Sequence, residues 1–195
     1  MLNRENTIQS LKNNKFKNLG DKEFYIKIQE LPFVKKINLR LDPNDKGCVS
    51  SSSKILGTML PTKANTYSTN AINEKIMWLG PDEWLIVSDD DDVFLKLQNE
   101  IGDLEASVTD VSENRTIIRI RGRDVYVLLS KFLVLDLEKN LPTNLSCAQT
   151  LFVKVPVLLV RNHYDGTPEI DIFTNRSHAN YIYNLIVDGT KNIDF

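Results

Sequence analysis

The stretch that decides the fold of this chain is Met77-Trp78-Leu79-Gly80-Pro81-Asp82-Glu83-Trp84-Leu85-Ile86-Val87. Both tryptophans of the protein lie in it, and the apolar runs on either side have the length and composition of strands. Between the runs, Gly80-Pro81-Asp82-Glu83 is typical of a tight turn, because proline presets φ and aspartate can bond its own backbone. The stretch therefore predicts a β-hairpin whose arms each carry a tryptophan that packs into a core or an interface.

The length and composition are those of an ordinary globular chain with balanced charge. The 195 residues suffice for one core or two small subdomains, with 42% apolar and 26% charged residues. The 24 Lys+Arg against 26 Asp+Glu leave no basic excess for nucleic acid. The apolar runs are too short to span a bilayer, and the N-terminus has no apolar signal-peptide core. We therefore expect a cytoplasmic protein that binds neither nucleic acid nor a membrane.

Outward from the hairpin, the apolar periodicity predicts the order β-α-ββ-α-β followed by β-α-ββ(β)-α. Each half resembles a ferredoxin-like split βαβ unit. The predicted fold class is α+β, with antiparallel sheets and helices packed on their faces. Residues 1–22 are predicted to form a flexible N-terminal arm. Residues 23–195 are predicted to form a single domain of two closely packed halves, about 23–111 and 112–195.

Turn-forming residues set the expected ends of these elements. Residues 60–73 and 135–146 are predicted to be loops. Pro156 lies between the predicted strands at residues 150–155 and 157–161. It is expected to mark a bend in the chain or an edge of the sheet. The last helix is expected to be capped by Asn175 or Ser177 and closed by Gly189.

The search for reactive groups yields no recognisable active site. The run Asp89-Asp90-Asp91-Asp92 could suggest a metal, but it lacks the ligand spacing of a calcium loop and suits the start of a helix. His163 and His178 have no metal-ligand spacing and are interpreted as surface residues. Cys48 and Cys147 are too few for a disulfide framework or a zinc site. A nucleophilic pair of Cys147 with either histidine has no support from the sequence.

Arginines form the main candidate for a charged interface. Arg115, Arg119 and Arg121 alternate along one predicted strand, and Arg123 follows just beyond. This strand face is either solvated or a basic patch that faces an acidic subunit or an anionic cofactor. Arg176, just before the last helix, either presents an anion site or belongs to a helix cap.

The hairpin also resembles a known family signature. Trp78-Leu79-Gly80-Pro81-Asp82-Glu83-Trp84-Leu85 resembles that of the gamma subunit of heterotetrameric sarcosine oxidase. Weaker colinear similarities run from about Ile26 to the C-terminus, and they include residues 57–65, 108–116 and 176–179. The N-terminal arm is not matched, and the end after Gly189 is short.

The resemblance implies a subunit that has no catalytic, cofactor-binding or metal-binding residues of its own. Its partners would be the alpha, beta and delta subunits of a flavoenzyme that oxidatively demethylates sarcosine to glycine. That enzyme passes the one-carbon unit to tetrahydrofolate and makes hydrogen peroxide. The other subunits would hold FAD, FMN, NAD and tetrahydrofolate. The fold would be similar to the folate-binding domain of aminomethyltransferases.

Two hypotheses follow from the residues and the resemblance together. The first is an assembly subunit, with motif and interface residues Trp78, Gly80, Pro81, Asp82, Glu83, Trp84, Arg115, Arg119, Arg121 and Arg176. The second is a stand-alone folate-binding or one-carbon transferase domain. That alternative needs an open central cavity and an acid that holds the pteridine, for which Asp110 at a strand end is the candidate. Asp110 could equally cap its own turn.

Overall fold

The computed structural model describes residues 7–8, 17–19, 26–101, 104–164 and 166–191. Within these residues the strands are β1 (Lys17–Leu19), β2 (Ile26–Glu30), β3 (Lys35–Leu41), β4 (Tyr67–Thr69), β5 (Lys75–Gly80), β6 (Glu83–Ser88), β7 (Ala106–Asp110), β8 (Arg115–Arg121), β9 (Cys147–Phe152), β10 (Val155–Tyr164) and β11 (Thr167–Asn175). The helices are α1 (Lys46–Leu56), α2 (Val93–Ile101), α3 (Val125–Ser130), α4 (Leu137–Asn140) and α5 (Ala179–Gly189). The strands form two antiparallel sheets, which confirms the predicted α+β class.

The chain divides into two compact units. The central unit is Val34–Ser112, and the terminal unit combines Met1–Phe33 with Glu113–Phe195. Each unit contains one of the sheets and its own buried apolar cluster.

The central unit has the sheet order β4-β5-β6-β3-β7. Without the edge strand β4, this is the split βαβ arrangement. Each of the helices α1 and α2 lies between two strands that are separated by one other strand in the sheet. Its core is built by inward-facing residues of β3 and β6 together with α2, including Ile37, Trp84 and Leu97. Helix α1 begins where the Asp45 carboxylate accepts two backbone N–H bonds, and it ends at Gly57 with φ 62°.

The predicted hairpin is confirmed as β5 and β6. Trp78 pairs directly with Trp84 across the two strands, and the turn is reduced to Pro81 and Asp82. The register shifts between Trp78 and Gly80, so Leu79 forms a bulge next to the turn.

The terminal unit has the sheet order β1-β2-β8-β11-β10-β9. Without β1 and β9, the order is again that of a split βαβ unit, but its outer strand β2 comes from the start of the chain. Helices α3 and α5 supply Leu128 and Ile182 to a core that includes Ile118 and Ile172 of the sheet.

The two units differ from the predicted halves, about 23–111 and 112–195, because strand β2 belongs to the terminal unit. Ile28 of β2 pairs with Ile120 of β8, more than ninety positions along the chain. Sequence proximity favours pairing within the first half, whereas the sheet joins β2 to the second.

Most of the predicted arm, residues 1–22, lies outside the described residues. In the described part, Ile8 is fully buried in the core of the terminal unit. The backbone N–H groups of Thr7 and Ile8 donate to the Glu30 carboxylate at 3.0 and 2.9 Å. Strand β1 pairs with β2. These segments are therefore held against the terminal unit.

Several predicted loops and bends are wrong. Residues 60–73 include β4, and residues 135–146 include α4, which begins where Asp136 accepts a bond from the Lys139 N–H at 3.0 Å. Pro156 lies inside β10 rather than between two strands. The chain reverses three residues earlier, where Val153 has φ 56°.

The ends of α5 also differ from the prediction. A 3-10 turn at Arg176–His178 precedes the helix, and neither it nor α5 has a side-chain cap. Gly189 is the last helical residue and has no positive φ. A methyl group there would lie 2.6 Å from Cζ of Phe132 and 2.9 Å from Cδ1 of Leu128, so glycine allows close packing of α5 beside α3. Of the helices in the described ranges, none is both long and apolar enough to cross a bilayer.

Candidate functional site

The hairpin signature first serves the fold of the central unit. Trp84 is 1% exposed, and its Nε1–H donates to the carbonyl oxygen of Pro61 at 2.9 Å. This bond fixes the loop that follows α1 against β6. Trp78, on the other arm, is half-buried. The two tryptophans thus have different roles, one in the core and one at the surface.

Glu83 ties the turn to the neighbouring strand. Its carboxylate accepts bonds from Asn38 Nδ2 at 2.7 Å and from Arg40 Nη2 at 2.8 Å, both on β3. Hydrogen bonding with Glu83, followed by its charge, raises the pKa of the Arg40 guanidinium. The Asp82 carbonyl also accepts the Leu41 N–H at 3.2 Å. The turn is therefore held in one position over the end of β3.

The rest of the turn faces solvent. Pro81 and Asp82 are exposed. A methyl group at Gly80 would meet only Asp82 Oδ1 and Glu83 Cβ, both at 3.7 Å, an ordinary contact distance. Gly80 is not among the described residues with positive φ. Neither crowding nor backbone conformation demands glycine at this position.

An open groove of about 630 Å³ lies beside this tip. It is lined where the end of β3, the hairpin turn and the start of β7 meet, by residues that include Arg40, Asp42, Pro43, Asp82, Leu104 and Glu105. The acidic members are exposed, and Leu104 is 45% exposed. The groove thus combines apolar side chains with carboxylates.

The predicted arginine face on β8 is largely neutralised at its centre. Arg119 forms two bonds to the Asp171 carboxylate, Nε to Oδ1 at 2.6 Å and Nη2 to Oδ2 at 2.8 Å. Glu169 Oε1 lies 3.2 Å from the same Nε, and both acids are at least 94% buried as side chains. Paired with two carboxylates, Arg119 cannot present a free positive charge.

The other arginines occupy separate places in the terminal unit. Arg115 and Arg121 are half-buried at the two ends of β8, and both have interactions of their own. Arg176 donates its backbone N–H to the Asn114 carbonyl at 3.1 Å, and its guanidinium lies 4.0 Å from the Glu113 carboxylate. A role for these arginines at an interface stays a prediction.

Asp110 is engaged in its own turn. Oδ1 accepts the Ser112 N–H at 2.9 Å, and Lys35 Nζ lies 3.4 Å from Oδ2. Burial acts to raise the pKa of Asp110, but hydrogen bonds from Ser112 and the nearby Lys35 ammonium outweigh it and lower the pKa. Neither the groove nor a second pocket of about 350 Å³ near Gly57 is lined by Asp110. This geometry favours the turn interpretation of Asp110.

Of the remaining candidates for chemistry, Asp90 has structural partners and both cysteines are buried. The Asp90 carboxylate accepts the Asp92 N–H at 2.9 Å and pairs with Lys96, and these bonds, Lys96 first, lower its pKa. Cys48 and Cys147 are buried thiols. His178 is half-buried at the start of α5. In the described part of the chain, no three His, Cys, Asp or Glu side chains are grouped so as to hold a metal ion.

Two antiparallel sheets, each containing a split βαβ unit, define the fold of this chain, and solved structures share this fold. A solved aminomethyltransferase T of the glycine cleavage system from Bartonella henselae has the same fold with a TM-score of 0.58 at 14% identity, over 82% of this chain and 45% of that one. A chain of the heterotetrameric sarcosine oxidase from Corynebacterium sp. U-96 superposes with a TM-score of 0.81 at 21% identity, over 91% of both chains. The expected similarity to an aminomethyltransferase domain is confirmed.

The sequence comparison is more specific than the fold. The model of the sarcosine oxidase, gamma subunit family matches residues 40–192, and the chain belongs to this family. A gamma subunit of sarcosine oxidase from Corynebacterium sp. (strain P-1) is 28% identical over 166 residues, 84% of this chain and 79% of the relative. One from Arthrobacter sp. is 29% identical over 136 residues, 69% of this chain and 66% of the relative.

Proposed function

We propose that this chain is the non-catalytic gamma subunit of a heterotetrameric sarcosine oxidase and supports its assembly with alpha, beta and delta subunits. The family match over residues 40–192 carries this proposal. The proposed complex demethylates sarcosine oxidatively to glycine in the cytoplasm, transfers the one-carbon unit to tetrahydrofolate and forms hydrogen peroxide. FAD, FMN, NAD and tetrahydrofolate bind in the other subunits.

The geometry of the central unit supports a docking role for the hairpin tip. Glu83 and Trp84 are occupied in holding the hairpin, whereas Pro81 and Asp82 project from a fixed turn beside an open groove. A rigid, exposed tip loses little conformational entropy when a partner binds it. We therefore assign the interface to this tip rather than to Arg119, whose charge is already paired.

The test of this role is an omission experiment. The alpha, beta and delta subunits are produced with and without this chain, and the yield of assembled complex and the sarcosine turnover per bound flavin are measured. We expect omission to lower the yield of the complex while turnover per flavin in the complex that remains is unchanged. Full assembly with normal flavin content but no turnover would instead assign this chain a part in the chemistry.

A further inference from the structure

The groove beside the hairpin tip has an unequal distribution of charge and apolar surface. Leu41 is buried at its base, and Leu104 and Pro43 expose apolar surface along it. Asp42, Asp82 and Glu105 are exposed around these side chains. An apolar strip with a polar rim is the usual anatomy of a protein interface.

Among the described residues that line the groove, Arg40 is the only cation, and it is already paired. Arg40 bonds to Glu83 at 2.8 Å, and this pair cancels its own charge. The carboxylates of Asp42, Asp82 and Glu105 therefore determine the sign of the potential in the groove. Complementary potentials steer and orient protein partners, while like charges placed opposite one another are unfavourable.

We propose that this groove receives a segment of another subunit of the complex in which a lysine or arginine lies next to an apolar side chain. The apolar side chain would lie on Leu104 and Pro43, and the cation would face Asp82 and Glu105. This inference rests on the proposed function, because it names the chemistry of the partner at the interface assigned there. A long cationic side chain can satisfy both features at once, since its stem is apolar and its head is charged.

A second copy of this chain is a poorer occupant of the groove. In a two-fold dimer the same patch meets itself, so the acidic rim of one copy would face that of the other. Such an arrangement would bring like charges together, and Arg40, the cation of the groove, is already paired with Glu83. The charge of the groove therefore favours a different, basic chain.

A competition experiment tests this assignment in the full complex. Wild-type chain and a variant with a different mass are co-expressed with the alpha, beta and delta subunits. The ratio of variant to wild type in the purified complex is compared with the ratio in the lysate by intact mass spectrometry. The test variant is Asp82→Lys/Glu105→Lys, which reverses the rim, and the matched control is Glu138→Lys/Asp188→Lys, which reverses two exposed acids of the terminal unit.

We expect the rim variant to be depleted in the complex by at least about tenfold, because like charges would then oppose each other. The neutral variant Asp82→Asn/Glu105→Gln and the apolar-site variant Leu104→Ser should be depleted less strongly, and the control should keep the lysate ratio. Circular dichroism and the thermal midpoint of each purified variant verify its folding. If the double lysine variant does not fold, the neutral pair and Leu104→Ser decide the question.

Each alternative outcome contradicts a different statement. Incorporation of the rim, neutral and Leu104 variants at the wild-type ratio would overturn the groove assignment and leave the proposed function intact. Equal depletion of rim and control variants would show a general effect of charge and would also overturn it. A wild-type chain that never enters a complex would overturn the proposed function itself.

Discussion

Single residues show why a strand face that is basic in sequence is not basic in the folded protein. Arg119 lies between Ile118 and Ile120 of β8, whose side chains are in the core of the terminal unit, so its own side chain lies on the other face of the sheet. Its partner Asp171 lies 52 positions further along the chain, and the pairing of β8 with β11 brings the two together. No local pattern in the sequence predicts such a long-range neutralisation.

This pair leads to a prediction about stability. Arg119→Met removes the cation from Asp171 and Glu169, both buried, and we expect it to lower the free energy of unfolding by about 2–4 kcal/mol. Urea unfolding at neutral pH measures the loss. Arg123→Met is the control, since Arg123 is 75% exposed as a side chain and should contribute less than about 0.5 kcal/mol. Equal stability of the two variants would contradict the account of the arginine face.

A second residue prediction concerns pH. The folded-state pKa of Asp110 is lowered, so its interactions stabilise the protein above the unfolded pKa and are lost as pH falls through the folded value. Wild type should therefore exceed Asp110→Asn in unfolding free energy at neutral pH. The difference should shrink once the pH drops below about 4, the usual range of an aspartate. Urea unfolding from neutral to acidic pH tests the sign, and a difference that grows toward low pH would refute it.

Elements with strong periodicity or clear turn chemistry were predictable from the sequence. The hairpin, α2 and β8 all follow from local residues. Strand β4 is only three residues long and depends on pairing with β5. The turn before β10 uses Val153 at φ 56°, a conformation that β-branched residues rarely adopt, so its sequence has no turn signal.

Gly189 gives a prediction about the packing of one helix. Gly189→Ala places a methyl group 2.6 Å from Phe132 and should destabilise the protein by about 1–3 kcal/mol through overpacking. Asn184→Ala on the exposed side of α5 is the matched control and should change stability little. Thermal unfolding measures both. If Phe132 is the cause, Phe132→Leu should recover part of the loss in the double variant; additive effects would argue against this contact.

At the scale of the whole molecule, the sequence predicts the fold class but not the unit to which strand β2 belongs. Two split βαβ units follow from the order of elements, whereas the transfer of β2 to the terminal unit is a property of the sheet. The candidate site was predicted in part. The signature hairpin was found, but the groove beside it combines residues of three chain segments and has no signal in any one of them.

The most direct test of the central claim is co-purification. This chain carries an affinity tag, is co-expressed with the candidate alpha, beta and delta subunits, and is analysed by size-exclusion chromatography with visible absorbance. The account predicts that the chain co-elutes with a yellow complex that oxidises sarcosine. Elution of the chain alone, with the flavin-containing subunits in a separate peak, would contradict it.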